Sequence, residues 1–339
     1  MSGEMKDLAR RFAVIAVMAA ALPACTRPVD AASPDPLPSW KHSAAWKSIV
    51  VFVDKVTSPG SPSFVPPSER IATFDNDGTL WAEKPVPFQL LFAFDRVKAL
   101  APQHPEWDGK EPFASLLKGD MQGVAATGTK GIMEIVAVTH AGMTTDEFAG
   151  IVEEWIASAR HPTTGRVYTQ MIYQPMLELL EFLRLNGFKT FIVSGGGVEF
   201  MRPWTKRVYG IPPEQVIGSA GRLKLEVRDG KPVLVKMPDV DLLDDKEGKA
   251  IAIQSRIGVR PIAAFGNSDG DLQMLEWTAA GEGARFLMVV HHDDARREFA
   301  YDRADKLQKL DKAWNEANAR GWTVVSMKSD WITVFPRVP

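Results

Sequence analysis

Apolar residues fall along this chain in two rhythms. Short, mainly apolar runs recur at 71–74, 188–193, 261–265 and 286–290, each bounded by turn-forming or polar residues. Runs of that length flanked by breakers predict strands buried on both faces. Between them the spacing opens to three and four. Trp46, Ile49, Val50, Phe52, Val53 and Val56 mark a first helix, and the same period predicts helices over 88–100, 111–117, 145–159, 174–185 and 198–209. The 145–159 segment opens on a threonine before Asp146 and Glu147, as a capped helix does, and the 174–185 segment stops at Asn186-Gly187. Alternation from Leu223 to Val235 around Asp229-Gly230 predicts a β-hairpin, and a further helix opens at 244–249 and runs through Ile257. Strands alternating with helices place the chain in the α/β class, with a central, mostly parallel sheet.

Three of the predicted strands deliver chemistry at their C-terminal ends, where open α/β sheets bind ligands. The first leads into Asp75-Asn76-Asp77-Gly78-Thr79. Residues two apart in extended chain point the same way, so Asp75 and Asp77 can address one small ligand, and Gly78 permits a sharp turn. Carboxylates so placed, with no cation in the segment, call for a metal ion or a shared proton. A calcium loop is excluded, because its twelfth position would be Val86, between Pro85 and Pro87, where a glutamate is needed. The second strand delivers Ser194-Gly195-Gly196-Gly197 ahead of a helix, a hydroxyl and free N–H groups suited to an anion. The third delivers Gly266-Asn267-Ser268-Asp269-Gly270-Asp271, and Lys246 and Lys249 open the helix before it.

Composition narrows the classes. A chain of 339 residues, 45% hydrophobic and 24% charged, builds a sizeable soluble core. Its net charge of -2 argues against nucleic acid as a partner, and one cysteine cannot build a Cys/His zinc cluster. Lys6, Arg10 and Arg11 precede an apolar run from Phe12 to Leu22, too short to span a bilayer but suited to a signal peptide over 1–24. Leu22-Pro23-Ala24-Cys25 resembles a bacterial lipoprotein cleavage box, and Arg10-Arg11-Phe12 is an imperfect twin-arginine match. The expectation is an exported periplasmic or cell-envelope lipoprotein, membrane-bound through lipid on Cys25; cleavage after Ala24 to a soluble secreted form is the alternative. Pro28, Pro34, Pro36 and Pro38 make 25–39 an extended tether.

Taken in order, these motifs resemble those of the haloacid dehalogenase superfamily, in its phosphoserine-phosphatase-like branch. Asp75-Asn76-Asp77-Gly78-Thr79 resembles the first motif, Ser194 the second, Lys246 the third and the segment 266–275 the fourth. The resemblance implies a Rossmann-like three-layer sandwich over 40–83 and 186–339, with a helical cap inserted at 84–185 and a small β-hairpin. It implies a Mg²⁺-dependent phosphatase acting on a small phosphorylated metabolite through an aspartyl-phosphate. Asp75 would be the nucleophile and Asp77 the general acid and base. Ser194, Gly195 and Gly196 would hold the phosphoryl oxygens, and Lys246 the negative charge, with Lys249 as the alternative lysine. Asp75, Asp77, Asn267 and Asp271 would hold the metal, with Asp269 a further candidate. Asn267 departs from the family, which has aspartate there. A phosphomutase or phosphotransferase is the alternative within the fold; a weakly active or non-catalytic binding lipoprotein is the alternative outside catalysis. Glu83 reads as a surface acid and His291-His292-Asp293-Asp294 as a solvated loop, although each follows an element that ends near the site. In the cap no motif or charge cluster identifies a ligand.

Overall fold

The strands β1 (Ile71–Phe74), β2 (Lys189–Gly197), β3 (Val216–Arg228), β4 (Lys231–Leu242), β5 (Ala263–Gly266), β6 (Phe286–His291) and β7 (Thr323–Ser326) form one sheet in the order β4-β3-β2-β1-β5-β6-β7. Every neighbouring pair is parallel except β3 with β4. This computed structural model describes residues 35–337. The expected signal peptide, Cys25 and most of the expected tether therefore lie outside the described residues. Among the described residues, no helix is long and apolar enough to cross a membrane.

The helices are α1 (Ala44–Thr57), α2 (Phe88–Leu100), α3 (Phe113–Leu117), α4 (Met121–Ala126), α5 (Gly128–His140), α6 (Thr145–Ser158), α7 (Gln174–Leu185), α8 (Val198–Tyr209), α9 (Glu247–Arg256), α10 (Leu272–Ala279), α11 (Lys312–Arg320) and α12 (Met327–Asp330). The central strands are apolar on both faces because helices cover both. Along β5 and β6, Ala263, Phe265, Phe286, Met288 and Val290 join one core, while Ala264, Leu287 and Val289 join the other with α9 and α10. Period-two division of a continuous apolar run is what a doubly covered parallel sheet requires. Phe74 and Phe265 stack in register at the centre, with ring centroids 4.2 Å apart. That register places Asp75, Ser194 and Asn267 at one end of the sheet.

The insertion after β1 leaves and returns as paired chain. Trp81 bridges Ile172, and the Ala82 N–H donates to the Met171 carbonyl at 2.9 Å. Helices α2 to α5 enclose a core of their own around Phe94, Val97, Trp107, Phe113, Leu116 and Ile135. The expected cap boundary at 185 is corrected. Helix α7 buries Leu179, Leu180 and Leu183 in the core that contains Ile192, because parallel strands β1 and β2 need a crossover helix against the sheet. The insertion thus ends near residue 172. Helix α6 is capped one residue earlier than expected, by Thr144, which bonds reciprocally with Glu147 in a capping box.

Two elements outgrow their expectations. The hairpin is longer than 223–235, turning at Asp229 (φ 51) and Gly230 (φ 74), the left-handed pair of a type I′ turn. Its strand β4 ties back to the insertion: Gly142 N–H donates to the Lys236 carbonyl, and Lys236 N–H to that of Met143. Strand β2 does not stop at 193 but carries Ser194 to Gly197 in extended form straight into α8.

Candidate active site

Asp75 leaves β1 with its N–H donating to the Phe265 carbonyl at 2.9 Å, so the neighbouring strand fixes it. The lysine that meets it is Lys249, not Lys246. Its Nζ lies 2.7 Å from Asp75 Oδ1 and 2.5 Å from Asp271 Oδ1, with the residue 2% exposed. Lys246 is exposed and caps the helix at φ 53, ahead of the first turn. Only a lysine inside that turn faces the sheet, which is why the expectation of Lys246 fails. Burial works against the Lys249 charge, but Asp271 and Asp75 outweigh it and raise the ammonium above its ordinary range. Asp75 is nonetheless pushed up to about 8: burial and the Asp271 charge raise it further than a lysine shared between two acids lowers it.

Asp77 accepts from Trp81 Nε1 at 2.7 Å through Oδ1. Burial pushes it up to about 6, against the pull of the Trp81 hydrogen bond and Lys249. Its Oδ2 faces β2. A Cβ on Gly196 would stand 3.3 Å from Ser194 Oγ, 3.4 Å from Gln89 Oε1 and 3.5 Å from Asp77 Oδ2, so these three oxygens line one small volume. Ser194 is buried and accepts from the Gly196 N–H at 3.1 Å, while the Gly197 N–H donates to Gln89 Oε1 at 2.6 Å. The glycine segment is thus an extended edge facing Asp77, with Gly195 exposed.

The fourth strand-end segment divides its duties. Asn267 is buried; its Oδ1 accepts from Thr79 Oγ1 at 3.0 Å, and its Nδ2 donates to Glu83 Oε1 at 2.8 Å. Gly78, at φ 75, is required here, because a Cβ would stand 2.0 Å from Asn267 Nδ2. Asp271 is corrected from metal ligand to positioning residue. Its Oδ1 meets Lys249, and its Oδ2 accepts the N–H groups of Asn267 and Ser268 at 2.9 and 3.0 Å. Asp269 is corrected too: its Oδ1 accepts from the N–H groups of Asp311 and Ala313 at 2.9 and 3.0 Å, fixing the start of α11.

Residues passed over in the sequence close the site from the side. Glu83 is completely buried rather than a surface acid, accepting from Tyr301 Oη at 2.6 Å as well as from Asn267. Burial raises its carboxyl well above the usual range. His292 is also buried: its Nε2 is 2.8 Å from the Gly78 carbonyl, its Nδ1 3.3 Å from Glu298 Oε2, and its ring stacks on Tyr301 at 4.3 Å. It braces the turn that carries Asp77. Its neighbours are structural: Asp293 accepts from Lys328 N–H, and Asp294 pairs with Arg297. Asp244 is fully buried and raised to about 6 by burial, with Lys249 and the Ser194 backbone opposing. Glu298 and Tyr301 carried no sequence signal, lying in no motif and far along the chain.

The raised carboxyls of Asp75, Asp77, Glu83 and Asp244 around Lys249 mark a shortage of positive charge. Among the described residues no group of three or more His, Cys, Asp and Glu is spaced to hold a metal. An ion here would draw instead on the Asp75 carboxylate, the Asp77 carbonyl and the Asn267 amide oxygen, all hard donors that suit a small divalent cation. The residues fit such an ion.

Comparison with known proteins bears on the family and the fold. A family model for haloacid dehalogenase-like hydrolases matches residues 72–276. Among solved structures, a conserved, functionally unknown protein from Anaerococcus prevotii DSM 20548 is similar over 91% of this chain and 100% of its own, at 14% identity and a TM-score of 0.56. A protein of unknown function from Bordetella pertussis Tohama I is similar over 76% of this chain and 98% of its own, at 16% identity and a TM-score of 0.48. A phosphoserine phosphohydrolase-like protein from Francisella tularensis subsp. tularensis SCHU S4 covers 67% of this chain and 89% of its own, at 16% identity and a TM-score of 0.38. No curated protein matches the sequence. At 14% identity, the likeness to the Anaerococcus prevotii protein speaks to the fold alone.

Proposed function

The chain belongs to the haloacid dehalogenase-like hydrolase family, and from that membership we propose that it is a Mg²⁺-dependent phosphatase of small phosphomonoesters working through an aspartyl-phosphate. The observation that carries the reading is the contact of Lys249 with Asp75 at 2.7 Å, with Asp77 two residues on facing Ser194. Phosphoryl transfer asks a protein mainly for alignment and charge neutralisation. The Asp75 carboxylate attacks phosphorus as the ester P–O bond breaks, and the leaving oxygen takes its proton from Asp77. Asp77, now a carboxylate, removes a proton from the water that attacks the aspartyl-phosphate, which returns Asp75 and releases phosphate. Ser194 Oγ holds a phosphoryl oxygen, and Lys249 offsets the charge on the nucleophile and the transferring group. Mg²⁺, held by Asp75, the Asp77 carbonyl and Asn267, would supply further neutralisation of phosphoryl charge.

Phosphate release by the full chain from a panel of phosphomonoesters, with and without Mg²⁺, tests the proposal. The expected result is release from at least one ester, lost with a chelator and restored by Mg²⁺. A folded protein that releases nothing from any member, with Mg²⁺ present, overturns it. Transfer to a second alcohol in place of water would favour a phosphotransferase.

A further inference from the structure

One side chain of the insertion reaches into the site, and its hydrogen-bond partners fix its orientation. Gln89, in the first turn of α2, accepts the Gly197 N–H at 2.6 Å through Oε1, and that oxygen shares the small volume lined by Asp77 Oδ2 and Ser194 Oγ. The approach is close: a Cβ on Gly197 would stand 2.6 Å from Gln89 Nε2, so a side chain there would displace the amide.

Hydrogen-bond bookkeeping fixes which end of the amide points where. Thr139 Oγ1 donates its hydrogen to the backbone of its own helix, to the Ile135 carbonyl at 2.8 Å. It can therefore only accept from His140 Nδ1, also at 2.8 Å. That leaves His140 Nε2 with a lone pair, which faces Gln89 Nε2 at 3.4 Å. Gln89 is thus held as donor to the histidine and acceptor from the glycine, with one N–H and one lone pair of Oε1 left over. His140 is held neutral, as burial and the nearby Lys236 push it down to about 3.

Asp77 Oδ2, which shares this volume, is the acid and base of the reaction, and the groups the insertion adds beside it, the Gln89 amide and the His140 ring, are both neutral. Lys236 is paired with Glu199 at 3.3 Å and lies over the Phe148 ring. Arg96, two helical turns along α2, acts on the ring of His140, whose charged form it disfavours. Glu83 is completely buried, with Oε1 held by Asn267 and Tyr301 and Oε2 unpartnered, and burial favours its neutral acid. A hydroxyl, which gives one hydrogen and takes another, matches the remaining donor and acceptor of Gln89.

Resting on the phosphatase reading above, we propose that Gln89, oriented by His140, is a specificity-determining residue that selects phosphomonoesters whose leaving group is an uncharged, hydroxyl-bearing alcohol. An amino-acid leaving group, with its ammonium and carboxylate, is selected against. The experiment compares kcat/KM for glycerol phosphate and for phosphoserine in the wild type, Gln89→Leu and Gln89→Glu, with thermal melting to establish folding. The wild type should favour glycerol phosphate by at least about tenfold, since a site built to hydrogen-bond a hydroxyl discriminates strongly. Gln89→Leu should bring the ratio of the two values to within about threefold of unity, as a lost hydrogen bond of about 1 kcal/mol or more predicts. Gln89→Glu should shift the ratio toward phosphoserine by presenting a carboxylate to its ammonium. A wild type that prefers phosphoserine, or variants that leave the ratio unchanged, overturn the inference while sparing the phosphatase reading. If neither ester is hydrolysed by the wild type but others in the panel are, the inference also fails. Failure of the whole panel removes the reading on which it rests. Should Gln89→Leu not fold, the wild-type preference and Gln89→Glu still decide.

Discussion

Asp75→Asn lowers kcat for phosphate release by at least about 10³-fold, the scale on which removal of a covalent nucleophile acts. The substitution keeps the shape of the side chain and an oxygen for Lys249 to bond, so loss of turnover reports loss of the nucleophile. Stability should move the other way. Asp75 is buried and its carboxyl is pushed up to about 8, chiefly by burial and then by Asp271. A neutral amide removes that conflict, and the melting temperature of Asp75→Asn should equal or exceed that of the wild type in metal-free buffer. Lower activity with retained stability is the expected trade at a site built for chemistry. Steady-state turnover and thermal melting on the same preparation check both halves. If the Asp75→Asn variant still turns over at about a tenth of the wild-type rate, Asp75 is not the nucleophile.

Lys249→Met and Lys246→Ala should behave as opposites, although the two lysines are three residues apart. Lys249 is the cation between Asp75 and Asp271, at 2.7 and 2.5 Å. Removing it leaves two buried carboxylates facing each other, a change that costs about 3–5 kcal/mol where a buried pair loses one partner. Protonation of one acid will soften that cost. Turnover should fall about 10²- to 10³-fold, as loss of a group stabilising transition-state charge does. Lys246 is exposed and touches neither acid, so Lys246→Ala should stay within about 0.5 kcal/mol in denaturant unfolding. Its turnover should be unchanged. Inactivity of the Lys246 variant beside an active Lys249 variant would reverse the assignment.

The legible part of this protein was the part governed by strands. Ile71–Phe74 and the run before Gly266 are buried throughout, and in a parallel sheet such runs lie side by side with their ends aligned. Asp75, Ser194 and Asn267 could therefore be gathered from three distant segments without coordinates. The lysine was not legible, because its choice depends on where a helix begins. A residue at the cap and another one turn later differ by a reversal of direction that no period in the sequence records. Asp269 and Asp271 look alike in the sequence, yet one holds the start of α11 about forty residues on and the other holds the active-site lysine. Buried acids paired with partners far along the chain were equally opaque: Glu83 meets Tyr301, 218 residues away. The position of Gln89 follows from how the insertion folds back over β2, which is tertiary packing and not pattern.

The measurement that bears most directly on the central claim is mass spectrometry of the protein quenched in acid during turnover of a good phosphomonoester with Mg²⁺. Asp77→Asn, which lacks the base for hydrolysis, should be included with an aryl phosphate whose leaving group departs without a proton, so that the intermediate forms and persists. The account predicts an acid-stable, base-labile phosphoryl group on the peptide that contains Asp75, strongest in Asp77→Asn and missing from Asp75→Asn. A phosphoryl group on another residue, or rapid phosphate release with none on Asp75 in either protein, would contradict it.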